Sequence, residues 1–219
     1  LIGSIESTIK TPERDEKADT VMHVLRSFDV NKPGIKLKDI KGGVIGGSLT
    51  QGIFNIGDEI EIKPGIMNEK NKSYEPIHTE ITSLGTAAGI VESVKPGGLV
   101  AIGTKLDPSM TRSDSFIGSV IGKPGTLPDN STLLKLDVNL FDSAVGSTVD
   151  SAEDLQVKPI QMGELLRLNI GTAPVLGKVT KAKSSNIEIE LRRPACIFEN
   201  GRVAISRRIA ERWRLIGAG

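Results

Sequence analysis

With 219 residues the chain can bury one large core or two modest ones, and two all-β domains are the arrangement expected. Its 28 Lys and Arg nearly cancel 27 Asp and Glu to leave +1, so any nucleic-acid binding must come from local clustering. A single Cys excludes an internal disulfide, the two His are isolated from any ligand cluster, and no stretch reaches the roughly 18 apolar residues of a membrane helix; a cytoplasmic protein without signal peptide, metal or membrane partner is the default expectation.

The 24 Gly, 11 Pro and short Ile, Val and Leu runs, with only 3% aromatic residues, suit β-barrels of many short strands. Residues 1–10 place Leu1, Ile2, Ile5 and Ile9 on one helical face, a helix too short to be stable alone. Thr11 to Thr20 is polar, charged and carries a Pro, the character of a linker. An apolar strand from Val21 then gives way to a long loop broken by Pro33 and Gly34. Val44 and Ile45 follow between the pairs Gly42-Gly43 and Gly46-Gly47, which permit close approach of a partner or of a second strand at a barrel corner.

Ile53 to Ile62 alternates around a Gly57-Asp58 turn, and Lys63-Pro64-Gly65 is expected to end that strand. Asn68 to Ser73 reads as a polar hairpin tip, Tyr74 to Ser83 as the returning strand, and Leu99 to Ile102 as a buried strand after the turn Lys95 to Gly98. Phe116 to Ile121 closes the first barrel, and the Gly- and Pro-rich stretch Gly122 to Asn130 is the expected domain boundary. In the second barrel Leu134, Leu136, Val138 and Leu140 alternate, and Asp142 to Asp154 is an acidic loop. Strands are expected at Leu165 to Ile170, Val175 to Lys181, Ile187 to Leu191, Ala195 to Phe198, Val203 to Ile205 and Trp213 to Ile216, with Arg192-Arg193-Pro194 as a break. Cys196 is read as a small buried hydrophobe.

No Ser/His/Asp or Cys/His arrangement has supporting context, and the glycine-rich 42–47 lacks the Lys-Ser/Thr and following helix of a phosphate loop, so no catalytic residue is assigned. The sharpest chemical feature is basic. Between Arg192 and Arg214 lie seven Arg against Glu199 and Glu211, a local +5, which is either a salt-bridged solvated face or a surface for phosphates.

RSFDVNKPG (26–34) followed by KGGVIGGSLTQGIFNIGDEIEIKPG (41–65) resembles the second domain of the gamma subunit of translation initiation factor two, archaeal and eukaryotic type. PGGLVAIGTKLDPS (96–109), ELLRLNIGTA (164–173) and AISRRIAERWRLIG (204–217) continue the resemblance in order along nearly the whole chain. It implies two consecutive β-barrels like domains II and III of elongation factor Tu with a short N-terminal helical remnant. Residues 1–20 would be the end of a GTPase domain and linker, 21–125 domain II and 126–219 domain III. No GxxxxGK[ST] loop occurs, so GTP and Mg are expected in the family's GTPase domain and no cofactor or enzymatic activity in this chain.

By the same resemblance the partners are methionylated initiator tRNA, the alpha subunit, the small ribosomal subunit and, through the GTPase domain, the beta subunit. Arg26, Ser27, Phe28, Gly43, Val44, Gly46, Gly47, Thr82, Ser83, Gly97, Gly98 and Leu99 would receive the terminal adenosine and methionine, although the side chains of Val44 and Leu99 read as core. Arg207, Arg208, Arg212 and Arg214 would meet the tRNA backbone; Lys36, Lys38 and Lys41, with Asn68, Lys70 and Lys72, would dock the alpha subunit. The selenocysteine-specific elongation factor shares an NIGTA-like strand but not RSFDVNKPG or LKDIKGGVIGGS, and a GTP hydrolase would need its G domain from another polypeptide.

Overall fold

The computed structural model describes residues 2–9, 13–145, 156–209 and 211–219; the ends of the expected helix, the start of the linker and residues 146–154 of the expected acidic loop lie outside the described residues. The helical spacing at the start forms α1 (Ile2–Thr8), none of whose residues is buried.

The first sheet is built from β1 (Val21–Phe28), β2 (Val44–Gln51), β3 (Phe54–Asn55), β4 (Glu59–Asn68), β5 (Ser73–Thr86), β6 (Gly89–Val91), β7 (Ser93–Val94), β8 (Leu99–Thr104) and β9 (Val120–Gly122). The order β4-β9-β1-β2-β8-β5 returns from β5 to β4, which closes a six-stranded barrel; β6 extends β5, and β3 pairs with β7 alone. Strand alternation sends Met22, Val24, Ile45, Leu49, Ile60, Ile62, Ile81, Leu84, Ile102 and Ile121 into one core.

The second sheet comprises β10 (Asn130–Asp137), β11 (Asn139–Leu140), β12 (Leu165–Ile170), β13 (Ala173–Lys183), β14 (Asn186–Cys196), β15 (Val203–Ile209) and β16 (Arg212–Ala218). Its order is β10-β14-β13-β12-β15-β16-β11, and only Val138 separates β10 from β11, so the sheet curls back toward its own start. Leu134, Leu136, Leu166, Leu168, Ile187, Ile189, Ile205 and Ile216 fill its inside.

Two expected breaks are passed by continuous strands. β4 runs through Lys63-Pro64-Gly65 because its register with β5 shifts between Ile62 and Ile66, a bulge that absorbs the proline. β14 runs through Arg192-Arg193-Pro194 because its ladder with β13 ends at Leu191; beyond that point it has a neighbour only in β10, where the register is also irregular, so no strand requires the proline's absent N–H.

Between the two barrels Val21, Val120, Leu127, Cys196 and Phe198 form a small apolar seam. Lys63, 7% exposed at its side chain, reaches across it: Nζ donates to the carbonyls of Leu127 and Pro128, both at 3.2 Å, and lies 3.8 Å from Glu61 Oε1. Cys196 is buried as expected, and burial pushes its thiol up to about 11, so it packs as a hydrophobe.

Candidate functional site

The outer face of β1, β2, β8 and β5 carries most of the residues that the resemblance singles out. Opposed residues on adjacent strands share a face, and two rungs cross this one: Arg26, Gly46, Ala101 and Gly85, then Phe28, Val44, Gly103 and Ser83. The centre of the face therefore has almost no side-chain relief, whereas Arg26 and Phe28, the latter 39% exposed, stand at one margin. Ser48 pairs with Leu99 in the next rung, and Leu99 is 68% exposed.

That exposure corrects the expectation of a core Leu99. The side chain lies on the outward phase of β8, where Val100 and Ile102 take the inward phase. Val44 is likewise on the outward phase of β2 and half-buried. Thr82 is exposed at the bulge between Ile81 and Ser83. Gly97 has φ +136° and, like Gly98, would place a Cβ in open space. Ser27 points inward at 1% exposure, where its hydroxyl accepts the N–H of Phe116 at 3.1 Å.

The glycine pairs divide by what surrounds them. A Cβ on Gly43 would lie 2.3 Å from Thr111, and one on Gly47 would lie 2.1 Å from the His23 carbonyl oxygen, so both are glycine for internal packing. On Gly46 the nearest atoms would be 3.8 Å away, and on Gly85 3.7 Å, both ordinary contact distances. Nothing inside this chain requires glycine at those two outward positions.

Arg26 is held by a residue that the sequence reading did not single out. Its Nε donates to Asp114 Oδ1 at 2.9 Å, and the same oxygen accepts the Ser27 N–H at 2.9 Å. Hydrogen bonds from the Ser27 backbone and then from Arg26 hold the Asp114 carboxyl below its ordinary range. Asp114 ends a kinked 3-10 segment, Pro108–Asp114, whose Arg112 pairs with Asp29 at 2.9 Å. A separation of 88 residues hides the Arg26 partner from any local motif.

Asp29 also starts the brace of the lysine-rich loop. Its Oδ1 accepts from the backbone and side chain of Asn31, and Asn31 in turn exchanges two hydrogen bonds with the Lys41 backbone at 2.7 and 2.8 Å. The loop crest is a 3-10 turn, Leu37–Asp39, with Leu37 88% exposed and Lys36, Lys38 and Lys41 exposed beside it. In the second candidate loop Asn68 Nδ2 donates to Glu75, Lys70 is exposed, and Lys72 takes a positive φ of 50°.

The arginine-rich end does not present a uniform surface. Arg207 is 17% exposed at its side chain, pairs with Glu164, and donates to the Lys158 carbonyl at 2.8 Å. Arg208 pairs with Glu211, and Arg212 is exposed opposite Ile209; Arg214 lies across from Arg207 and is half-buried. Among the described residues no group of three or more His, Cys, Asp or Glu could hold a metal ion, and no helix is long and apolar enough to cross a membrane. The 42–47 stretch does not fit a nucleotide phosphate: Gly43 and Gly47 are packed against Thr111 and His23, and Val44 begins a strand instead of a helix.

A family described as "Initiation factor eIF2 gamma, C terminal" matches residues 132–219. The translation initiation factor 2 subunit gamma of Archaeoglobus fulgidus is 50% identical over 219 residues, all of this chain and 50% of the relative. The proteins of that name from Methanocaldococcus jannaschii and Thermococcus onnurineus are 48% and 50% identical over 221 aligned residues, again all of this chain and 53% of each relative. The chain thus spans about half the length of the curated relatives it matches. Over that span, from α1 through both barrels, it belongs to the family of translation initiation factor 2 gamma subunits.

Proposed function

We propose that the chain is the binding portion of an initiation factor that delivers methionylated initiator tRNA to the small ribosomal subunit in the cytoplasm. In this reading residues 21–125 form a domain that receives the tRNA terminus and docks the alpha subunit, and residues 126–219 form a domain that meets the tRNA backbone. Residues 1–20 belong to the end of a GTPase domain and its linker. That domain would hold GTP, Mg and the beta subunit, and the barrels themselves would perform no catalysis.

The observation that carries the reading is the low floor of Gly46, Ala101 and Gly85, with exposed Arg26, Phe28 and Leu99 around it. An unpaired base and an esterified amino acid need close approach and stacking more than a field of charge. Leu37 with Lys36, Lys38 and Lys41 on a braced loop suits an amphipathic protein contact, the character expected of the alpha-subunit dock. On the second barrel the exposed Arg208 and Arg212 suit phosphates better than Arg207, whose guanidinium is already engaged.

Filter binding of methionylated and uncharged initiator tRNA across a salt series tests the tRNA half of the proposal. Weak binding that is nearly equal for the two forms and falls steeply with salt is expected, because the barrels contribute only one wall of the methionine pocket. Absence of binding at low salt would overturn it, and strong preference for the methionylated form would show that the first barrel reads methionine alone. For the dock, charge reversal at Lys70 and Lys72 should weaken capture of the alpha subunit in calorimetry; an unchanged dissociation constant would remove that loop from the contact.

A further inference from the structure

A guanidinium has five N–H donors in a rigid fork, so where its Nε is engaged the outer edge points away from the partner. Arg26 uses Nε on Asp114, its side chain is 68% exposed, and among the described residues Nη1 and Nη2 have no protein partner. Arg112 is different: both its Nε and its Nη2 are spent on Asp29 Oδ2, at 3.2 and 2.9 Å, as a brace for the loop. Arg26 is thus oriented without being used up.

The orienting group is held in an unusual way. Ser113 and Asp114 are consecutive non-glycine residues with φ of +54° and +59°, a conformation that L side chains rarely adopt. Their turn delivers the Asp114 carboxylate to the bulge of β1, where one oxygen fixes both the Ser27 backbone and the Arg26 side chain. Phe28 lies two residues on, on the same face, about 6.6 Å along the strand. A fixed cationic edge and an exposed ring at that spacing match the phosphate and base of a single nucleotide.

We infer that Arg26 anchors a phosphodiester near the end of a single-stranded RNA, with Asp114 as its positioning residue and Phe28 as the stacking surface for a neighbouring base. The inference rests on reading the outer face of the first barrel as an RNA-end site.

The test uses this chain, labelled for arginine side-chain NMR, and the RNA trinucleotide cytidine-cytidine-adenosine as probe. The Arg26 Nε–Hε resonance should be sharp and protected in the free chain, retained in D114N and lost in D114A, and it should shift as the trinucleotide is added. R26Q should weaken binding about tenfold and lower the slope of log affinity against log salt by about one. D114A should weaken binding severalfold in the parent chain and add nothing in an R26Q background, because its effect passes through Arg26.

Unchanged trinucleotide binding in R26Q would overturn the anchor. An equal D114A effect with and without Arg26, accompanied by a lower urea midpoint, would make Asp114 a structural brace only. Trinucleotide binding through Arg26 without binding of initiator tRNA would sink the tRNA reading and leave the anchor standing. Binding of initiator tRNA with the Arg26 resonance untouched by millimolar trinucleotide would do the reverse.

Discussion

Gly47 and His23 meet across the β1–β2 ladder so closely that a Cβ on Gly47 would lie 2.1 Å from the His23 carbonyl oxygen. The adjacent Gly46 has its nearest such atom at 3.8 Å. Gly47→Ala should therefore force the two strands apart and cost about 3 kcal/mol, whereas Gly46→Ala should change stability by less than about 0.5 kcal/mol. On the proposed floor, however, the Gly46→Ala methyl should weaken RNA-end binding about tenfold, or about 1.4 kcal/mol. Urea unfolding and trinucleotide binding on the same two variants check the opposite orderings.

The seam between the barrels depends on Lys63. Its ammonium is buried with Glu61, and its other partners are carbonyls of the segment that joins the barrels. Lys63→Met leaves the Glu61 carboxylate without its buried cation, so a loss of about 3 kcal/mol is expected. Adding Glu61→Gln should restore part of it. Differential scanning calorimetry should show the barrels unfolding in separate steps in Lys63→Met; one undivided transition at the parent temperature would refute the assignment.

On the second barrel, two arginines of one sequence cluster should behave differently. Arg207→Ala strips Glu164 of its partner at a site where both side chains are mostly buried, 17% and 21% exposed, and should cost about 2 kcal/mol of stability. Arg212→Ala should leave stability within about 0.5 kcal/mol and instead lower the salt slope of tRNA binding by about one. Chemical denaturation and filter binding separate the two effects.

Acid should weaken the chain in two stages. Burial lowers the proton affinity of His23, whose Nδ1 has no hydrogen-bond partner, so the unfolded state binds more protons below its value of about 6.5. That contribution is present above this pH and lost as pH falls through it. Asp29, Asp107 and Asp114 are also depressed when folded, each first by hydrogen bonding, to Asn31, Ser109 and Ser27 respectively. Their contribution is present above the ordinary carboxylate value of about 3.9 and is lost as pH falls through the lower folded values. Thermal midpoints from pH 8 to pH 3 should show both stages, with the first removed in His23→Gln.

Much of this was legible without coordinates. Period-two alternation such as Leu134, Leu136, Val138, Leu140, and punctuation by Gly and Pro, are local signals, and they marked most strands and the all-β class. Motifs as long as KGGVIGGSLTQGIFNIGDEIEIKPG carried the family. The expected breaks at Pro64 and Pro194 failed because a proline's effect depends on whether a neighbouring strand needs its N–H, which the ladder decides.

The rest belongs to register and barrel closure. Four glycines in one short stretch are equivalent as letters, and only the strands opposite them separate Gly47, packed on His23, from Gly46, open to a partner. The apolar run from Leu99 to Ile102 cannot state which phase faces out; pairing with β2 does, and it exposes Leu99. Likewise the arginine cluster fixed a local charge, but Arg207 was withdrawn from the surface by Glu164, 43 residues away, and Arg26 was oriented by Asp114, 88 residues away. Sequence determined the strands and the chemistry each could offer; the three-dimensional pairing of distant strands decided which of those groups is spent inside the protein and which is left facing a partner.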